Sequence, residues 1–416
     1  MKFIKTPVKG MNDFLPSDMR LRDYVISLIK ETYSGFGFSP IETPCVEHIE
    51  NLSGKQGGEN EKLIFKILKR GEKLNLEGEV KEQQLVDSGL RYDLTVPLSR
   101  YYANNMNVLP SPFKALQIGN VWRADRPQKG RFRQFTQCDI DILGDNTNLA
   151  EIELISATTT LLGKLDFKGF KVRINDRRIL KAMALSCGFP EDSLDQVYII
   201  LDKMDKIGLD GVQSELEKAG YAKESITQYV AYFESIHDSI SCQEFCGGKL
   251  DEFLDPAVLE GMDQITDCVK ATASADFAIV FDPTLVRGMS YYTGTIFEIE
   301  MEEFGSSVAG GGRYDEMIGK YSGNQVPACG FSIGFERIIT ILKDRGYEVP
   351  TETRRIAFLV EKKVSDEKRI EMFREAAELR KQGVKVMIAT RNKNAKFQKE
   401  KLREEGYEEF KEFYRD

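Results

Sequence analysis

Apolar residues recur at helical spacing near the start of the chain, at Leu21, Val25, Ile26, Ile29 and Tyr33, which predicts an amphipathic helix over residues 17–36. Ser17 is placed to cap its start, and Gly35 and Gly37 to end it. A strand is expected from Phe38 to Val46, broken by Pro40 and Pro44. Proline cannot donate to a ladder, so such a strand belongs at an edge or at a contact between subunits. Lys62 to Asn75 alternates enough for a strand hairpin. Leu90 to Asp93 reads as short and extended, and Thr95-Val96-Pro97 opens a helix through Leu98, Tyr101 and Tyr102. An apolar strand ending at Trp122 and an alternating strand running to Gly144 then flank a basic turn, marked by Pro127 and Gly130.

From Asp176 to Lys270 the period changes from two to that of a helix, in Leu180–Cys187, Ser193–Lys203, Val212–Ala219 and Ile226–Ile236. That marks a helical insertion over residues 177–266, with a core formed by residues 1–176 and 267–345. Strand character returns at Ala278–Asp282. Residues 353–416 then read strand, helix, strand, helix and a last short run at Phe410–Tyr414, a small α/β module joined through Arg345–Thr353.

Composition narrows the function classes. The net charge of −8 over 416 residues argues against a generally basic nucleic-acid binder, so any such contact needs local positive patches. Seven scattered cysteines fit reduced thiols in a cytoplasmic protein, and Cys242 with Cys246 lacks the second pair that a zinc site requires. No segment reaches membrane-spanning length, so no membrane partner is expected. The two histidines, His48 and His237, stand in structural or surface contexts, which leaves histidine-based acid–base chemistry little to use.

Four segments carry candidate chemistry. Asp93 and Thr95, two apart, would share one face of a strand and suit an ammonium group; a plain strand followed by a helix cap fits them equally. From Arg123 to Arg133 run four arginines and one lysine against the single acid Asp125. On paired strands they would form a rigid fork for phosphate, with a solvated positive hairpin as the alternative. Arg287 precedes a glycine turn and the pair Tyr291-Tyr292, a small aromatic pocket or a core hairpin. Gly310-Gly311-Gly312 would let backbone approach a ligand, and Arg337 would stand near a helix start over the sheet or simply on the surface. Arg123, Arg131, Arg287 and Arg337, with Asp93 and Asp141 and no serine or histidine nucleophile, suit a polyphosphate and a nucleotidyl transfer run by charge and position. A carboxylate could be the nucleophile, since it needs no deprotonation.

These residues resemble the class II aminoacyl-tRNA synthetases, and within them the histidyl-tRNA synthetase family. Trp122 to Gln128 and Gln137 to Asp141 resemble the second class II motif, Gly330 to Arg337 the third, and Phe36 to Pro44, loosely, the first, dimer-forming motif. Leu285 to Glu298 is similar to the histidyl signature, and Lys9 to Pro16 also fits. The resemblance implies an α+β fold, a class II antiparallel sheet flanked by helices, carrying the helical insertion and the small C-terminal α/β domain. It implies a homodimer that uses ATP, with Mg2+ on the phosphates, to form histidyl-adenylate and then charges tRNA(His). Carried over by position, Arg123 would bind the α-phosphate, Arg337 the γ-phosphate, and Arg287 would stabilise charge at the α-phosphate while helping to bind histidine. Asp93 and Thr95 would hold the histidine ammonium. Gln137, Asp141, Tyr291 and Tyr292 would line the histidine pocket, and Asp125 and Arg131 would belong to the ATP and acceptor-end side. Ser290 stands where the family commonly has an acid or glycine, with little effect expected. The C-terminal module is shorter than the family's anticodon-binding domain, and residues 391–416 hold eight basic against seven acidic residues. The alternative is a histidine-binding, non-catalytic regulatory subunit of ATP phosphoribosyltransferase.

Overall fold

The computed structural model describes residues 3–53, 60–74, 80–234, 236, 240–287, 291–350 and 353–415. The expectations for His237 and Ser290 fall outside them. Two compact units divide the chain: Met1–Asn12 with Leu28–Leu342, and Asp13–Ser27 with Lys343–Asp416.

In the first unit, β1 (Ser39–Pro40), β2 (Val46–His48), β3 (Lys66–Leu68) and β4 (Val86–Leu90) precede the long pair β5 (Phe113–Trp122) and β6 (Gln134–Leu143). Then come β7 (Phe170–Asp176), β8 (Phe277–Phe281), β9 (Thr295–Met301), β10 (Ser306–Arg313) and β11 (Ala328–Gly334). Eight of these form one sheet in the order β1-β5-β6-β11-β10-β9-β7-β8. It is antiparallel except at its ends, where β1 runs parallel to β5 and β8 parallel to β7. β6 lies in its interior and is buried on both faces beyond Phe135, which its mixed run of apolar and polar residues did not announce. Helix Leu149–Lys164 contributes Leu154, Ile155, Leu161 and Leu162 to the core. Arg313 closes the end of β10 through paired hydrogen bonds of 2.7 Å to the buried Glu151, so the arginine after the three glycines is structural.

The helical stretch is real: helices Arg177–Ser186, Leu194–Leu201, Met204–Lys218, Lys223–Glu234, Cys242–Cys246 and Pro256–Ala271 separate β7 from β8. Other expectations change. The first helix starts at Pro16, which needs no donor there, and Ser17 falls inside the first turn instead of capping it. The strand expected over 38–46 is two short strands in different sheets, with Pro40 on the edge strand β1. The described part of 62–75 is no hairpin: β3 pairs with β4, between 3-10 turns at Asn60–Leu63 and Gly71–Lys73.

The second unit carries a three-stranded parallel sheet, β12 (Arg355–Val360), β13 (Lys385–Thr390) and β14 (Glu409–Phe413), in the order β13-β12-β14. Helices Asp366–Lys381 and Ala395–Glu404 make the two crossovers that parallel neighbours require. Ile356, Phe358, Met372 and Ala376 pack between sheet and helix.

Candidate functional site

A cavity of about 410 Å³ opens over the middle of the large sheet, within the size range of small-molecule sites. Its wall includes every residue to which the family resemblance gave a site role: Asp93, Thr95, Arg123, Asp125, Arg131, Gln137, Asp141, Arg287, Tyr291, Tyr292 and Arg337. They come from chain segments as much as 244 positions apart, and only the sheet order brings them together.

One side is rich in acceptors. Gln137, Asp139 and Asp141 alternate along the interior strand β6, so the pleat points all three the same way. Asp93, Asp139 and Asp141 are 2–3 % exposed. Asp93 Oδ1 accepts from the Val96 amide at 3.0 Å, and Asp141 Oδ1 from the Tyr314 hydroxyl at 2.6 Å. Gln137 Nε2 donates to Ser332 Oγ at 3.0 Å. That leaves Asp93 Oδ2, Asp139 Oδ1, Asp141 Oδ2 and Gln137 Oε1 buried and, among the described residues, without hydrogen-bond partners. Buried acceptors of this kind are costly unless a ligand supplies donors. Burial pushes the Asp93 carboxyl up, and burial with Asp141 nearby pushes Asp139 well up. Asp141 rises to about 7, through burial, against the Tyr314 hydrogen bond and with Asp93 adding to the rise. Gly330 makes room for this arrangement, because a Cβ there would strike the Asp141 carboxylate. Tyr291 closes the chamber, its ring 4.8 Å from that of Tyr292 and 5.9 Å from that of Tyr314.

The other side is cationic. Arg123 Nε donates to the Tyr92 carbonyl at 3.1 Å, and its guanidinium lies over the Tyr92 ring at 4.2 Å and the Phe135 ring at 5.3 Å. Arg287 Nη1 donates to Glu298 at 2.6 Å, and Arg337 donates to the Ser307 carbonyl from the first turn of helix Phe335–Asp344. Burial, then Arg131, and more weakly Arg287 and Arg123, push the Arg337 guanidinium down. A guanidinium depressed by burial and by neighbouring guanidiniums marks a site built for an anion.

Two expected geometries are corrected. Asp93 and Thr95 do not share a strand face: β4 ends at Leu90, and Thr95 is the first residue of helix Thr95–Asn105. Asp93 is drawn there because its carboxylate accepts from the helix's free amides. Nor are the arginines of 123–133 held on paired strands. The ladder closes at Trp122↔Gln134, and all of them lie in the connecting loop. Of these only Arg123 and Arg131 line the cavity. Arg126 is exposed, and the Arg133 amide and side chain bond the carbonyls of Gly10 and Asp125. Asp139, Tyr314 and Glu298 were missed from the sequence. The alternation through 137, 139 and 141 held the signal for Asp139; Tyr314 and Glu298 carry none that separates them from core residues.

The sequence model of the histidyl-tRNA synthetase family matches residues 10–338. A histidine–tRNA ligase of Leifsonia xyli is 46% identical over 347 residues, covering 81% of this chain and 80% of that one. The crystal structure of histidyl-tRNA synthetase from Nostoc sp. PCC 7120 superposes with a TM-score of 0.75 at 26% identity, over 97% of this chain and 90% of that one. A structure described as an ATP phosphoribosyltransferase regulatory subunit/histidyl-tRNA synthetase from Bacillus halodurans has a TM-score of 0.78 over 99% of each chain. At 21% identity it shows the shared fold alone. A mixed, mainly antiparallel sheet flanked by helices, the family match over most of the chain and the close ligase relative place this chain in the histidyl-tRNA synthetase family.

Proposed function

We propose that the pocket joins histidine to ATP, releasing pyrophosphate and forming histidyl-adenylate, and then passes histidine to the terminal ribose of tRNA(His). The observation that carries this reading is the split of one cavity into a chamber of unpartnered carboxylates and a wall of arginines. An amino acid with a cationic ammonium fits the first, and a triphosphate fits the second.

In the first step a carboxylate oxygen of histidine attacks the α-phosphorus, and pyrophosphate leaves with the electron pair of the broken P–O bond. Asp93 and Thr95 hold the ammonium; Gln137, Asp141, Tyr291 and Tyr292 surround the side chain. Arg123 and Arg287 bind the α-phosphate, Arg337 takes the γ-phosphate, and Asp125 and Arg131 line the ATP and acceptor-end side. Catalysis is by position and charge, with no protein base required. Mg2+ would enter on the phosphate oxygens of ATP. Among the described residues no group of three or more His, Cys, Asp or Glu is placed to hold a metal ion, and Glu298 is already engaged by Arg287.

The protein is read as a cytoplasmic homodimer. Seven free thiols suit a reducing compartment, and the exposed Phe3, Ile4 and Val8 offer apolar surface for a second copy. No helix among the described residues is long and apolar enough to cross a membrane. The C-terminal unit is read as a tRNA-holding module. The regulatory-subunit reading is disfavoured, because the arginine wall serves phosphate chemistry that a histidine sensor does not need.

The test is histidine-dependent exchange of pyrophosphate into ATP. Wild-type protein should exchange, and Arg287→Ala should lose about 100-fold or more, as the loss of a transition-state charge donor does. Arg287→Lys should recover part, since the forked geometry is gone. Unchanged exchange in Arg287→Ala would sink the assignment.

A further inference from the structure

Arg287 sits in an unusual position for so important a cation. Its backbone is in the left-handed region at φ 61°, which a non-glycine residue holds only when its surroundings enforce it. Arg337 lies near enough for the two guanidiniums to repel, and burial opposes the Arg287 charge as well. Two features answer this. Gly310 leaves a gap, because a Cβ there would overlap the Arg287 guanidinium. Glu298 grips Nη1 at 2.6 Å.

Glu298 is itself gripped. Gly310, Glu298 and Arg173 are directly paired neighbours on β10, β9 and β7, so they form one transverse row on one face of the sheet. Glu298 Oε2 meets Arg287, while Oε1 lies 3.7 Å from Arg173 Nη1. Arg173 in turn donates to Asp282 and, at 3.3 Å, to the Thr284 hydroxyl. Asp282 accepts from the Thr284 amide at 2.8 Å, and Asn175 Nδ2 from β7 donates to the Leu285 carbonyl at 2.9 Å. The short segment leading into Arg287 is thus pinned at both its side chains and its backbone. A carboxylate shared between two guanidiniums engages Arg287 through one oxygen only. Among the described residues, the buried Arg287 Nε has no hydrogen-bond partner, which keeps it for a ligand.

We propose that Glu298 is a positioning residue for adenylate formation, held by Arg173 and aiming the Arg287 guanidinium at the reacting phosphate. The proposal rests on the reading of the pocket given above. Displacing a charge donor by about 1 Å costs on the order of 100-fold in rate.

The experiment measures histidine-dependent pyrophosphate exchange in full-length Glu298→Ala, Glu298→Gln, Arg287→Ala and the double variant Glu298→Ala/Arg287→Ala, with the Tm of each. Glu298→Ala should lose about 10- to 100-fold. Glu298→Gln keeps an acceptor oxygen and should recover most of that loss. The double variant should be no slower than Arg287→Ala alone, since Glu298 acts only through Arg287. A general structural role would instead lower Tm in both Glu298 variants and make the two losses multiply; that result overturns the proposal, as does full exchange in Glu298→Ala beside a crippled Arg287→Ala. Unchanged exchange in Arg287→Ala would overturn the reading of the pocket itself, and the proposal with it.

Discussion

Asp141 shows how one residue carries both a functional demand and a stability cost. Its carboxyl rises from an ordinary 3.8 to about 7 in the ligand-free protein, chiefly through burial. A folded-state pKa above the unfolded one means that its contribution to stability is full below the unfolded value and is lost as pH rises through the folded one. Asp93 and Asp139 shift in the same direction. The Tm of the ligand-free protein should therefore fall between about pH 4, near the unfolded value, and about pH 7, near the folded one. Asp141→Asn cannot ionise, so it should blunt that fall and raise Tm at the upper end. It should also raise the KM for histidine about 10-fold or more, through loss of a charged hydrogen-bond acceptor. Thermal melts at both pH values check the first part; a variant equally destabilised at both would refute it.

Strand β10 shows two neighbouring glycines serving different ends. A Cβ at Gly310 would meet the movable tip of Arg287, whereas a Cβ at Gly311 would meet the backbone carbonyl of Gly330 on β11. Side-chain tips can yield; a backbone in the middle of a sheet cannot. Gly310→Ala is expected to fold with a near-normal Tm and to lose about 10-fold or more in pyrophosphate exchange, because Arg287 is displaced. Gly311→Ala is expected to cost roughly 1–3 kcal/mol or more of stability, as overpacking does. Exchange rates and denaturant midpoints of the purified variants separate these cases, and identical behaviour would show that β10 does not divide its labour this way. The sequence reading took the glycine run to admit a ligand. The structure shows Gly310 admitting a side chain, a difference invisible until β10 and Arg287 are placed side by side.

Over the whole molecule, two expectations concern assembly and tRNA. An isologous dimer should have twice the chain mass of 47.3 kDa. Light scattering at micromolar concentration should find that species, and a monomer alone would exclude it. On helix Ala395–Glu404 and just before it, Lys393, Lys396, Lys399 and Arg403 recur at helical spacing. Lys399 is paired with Glu412, and Arg403 lies 5.2 Å from the Phe410 ring, while Lys393 and Lys396 are exposed. If this unit holds tRNA, Lys393→Glu with Lys396→Glu should raise the KM for tRNA and flatten the salt dependence of binding, leaving pyrophosphate exchange intact. An unchanged KM for tRNA would assign the unit to another task.

Much was legible in the chain before folding. The change of period at Asp176 marked the helical stretch, because a helix and a strand place side chains by different local geometry. The β6 alternation and the strand-to-helix step at Gly334 were equally local, and they put Gln137, Asp141 and Arg337 where they stand. The arginine, tyrosine and glycine segments could be named as chemistry for the same reason. What the chain alone did not decide was everything that depends on partners distant in sequence. Asp93 left its expected strand because helix amides needed an acceptor, and the basic loop kept two of its arginines for the cavity and turned Arg126 and Arg133 elsewhere. Glu298 and Tyr314 became significant only when the sheet set them against Arg287 and Asp141, respectively. Local periodicity is a property of neighbouring residues; the charge balance and burial that tune this pocket are sums over strands far apart in the chain, and only the tertiary structure performs that sum.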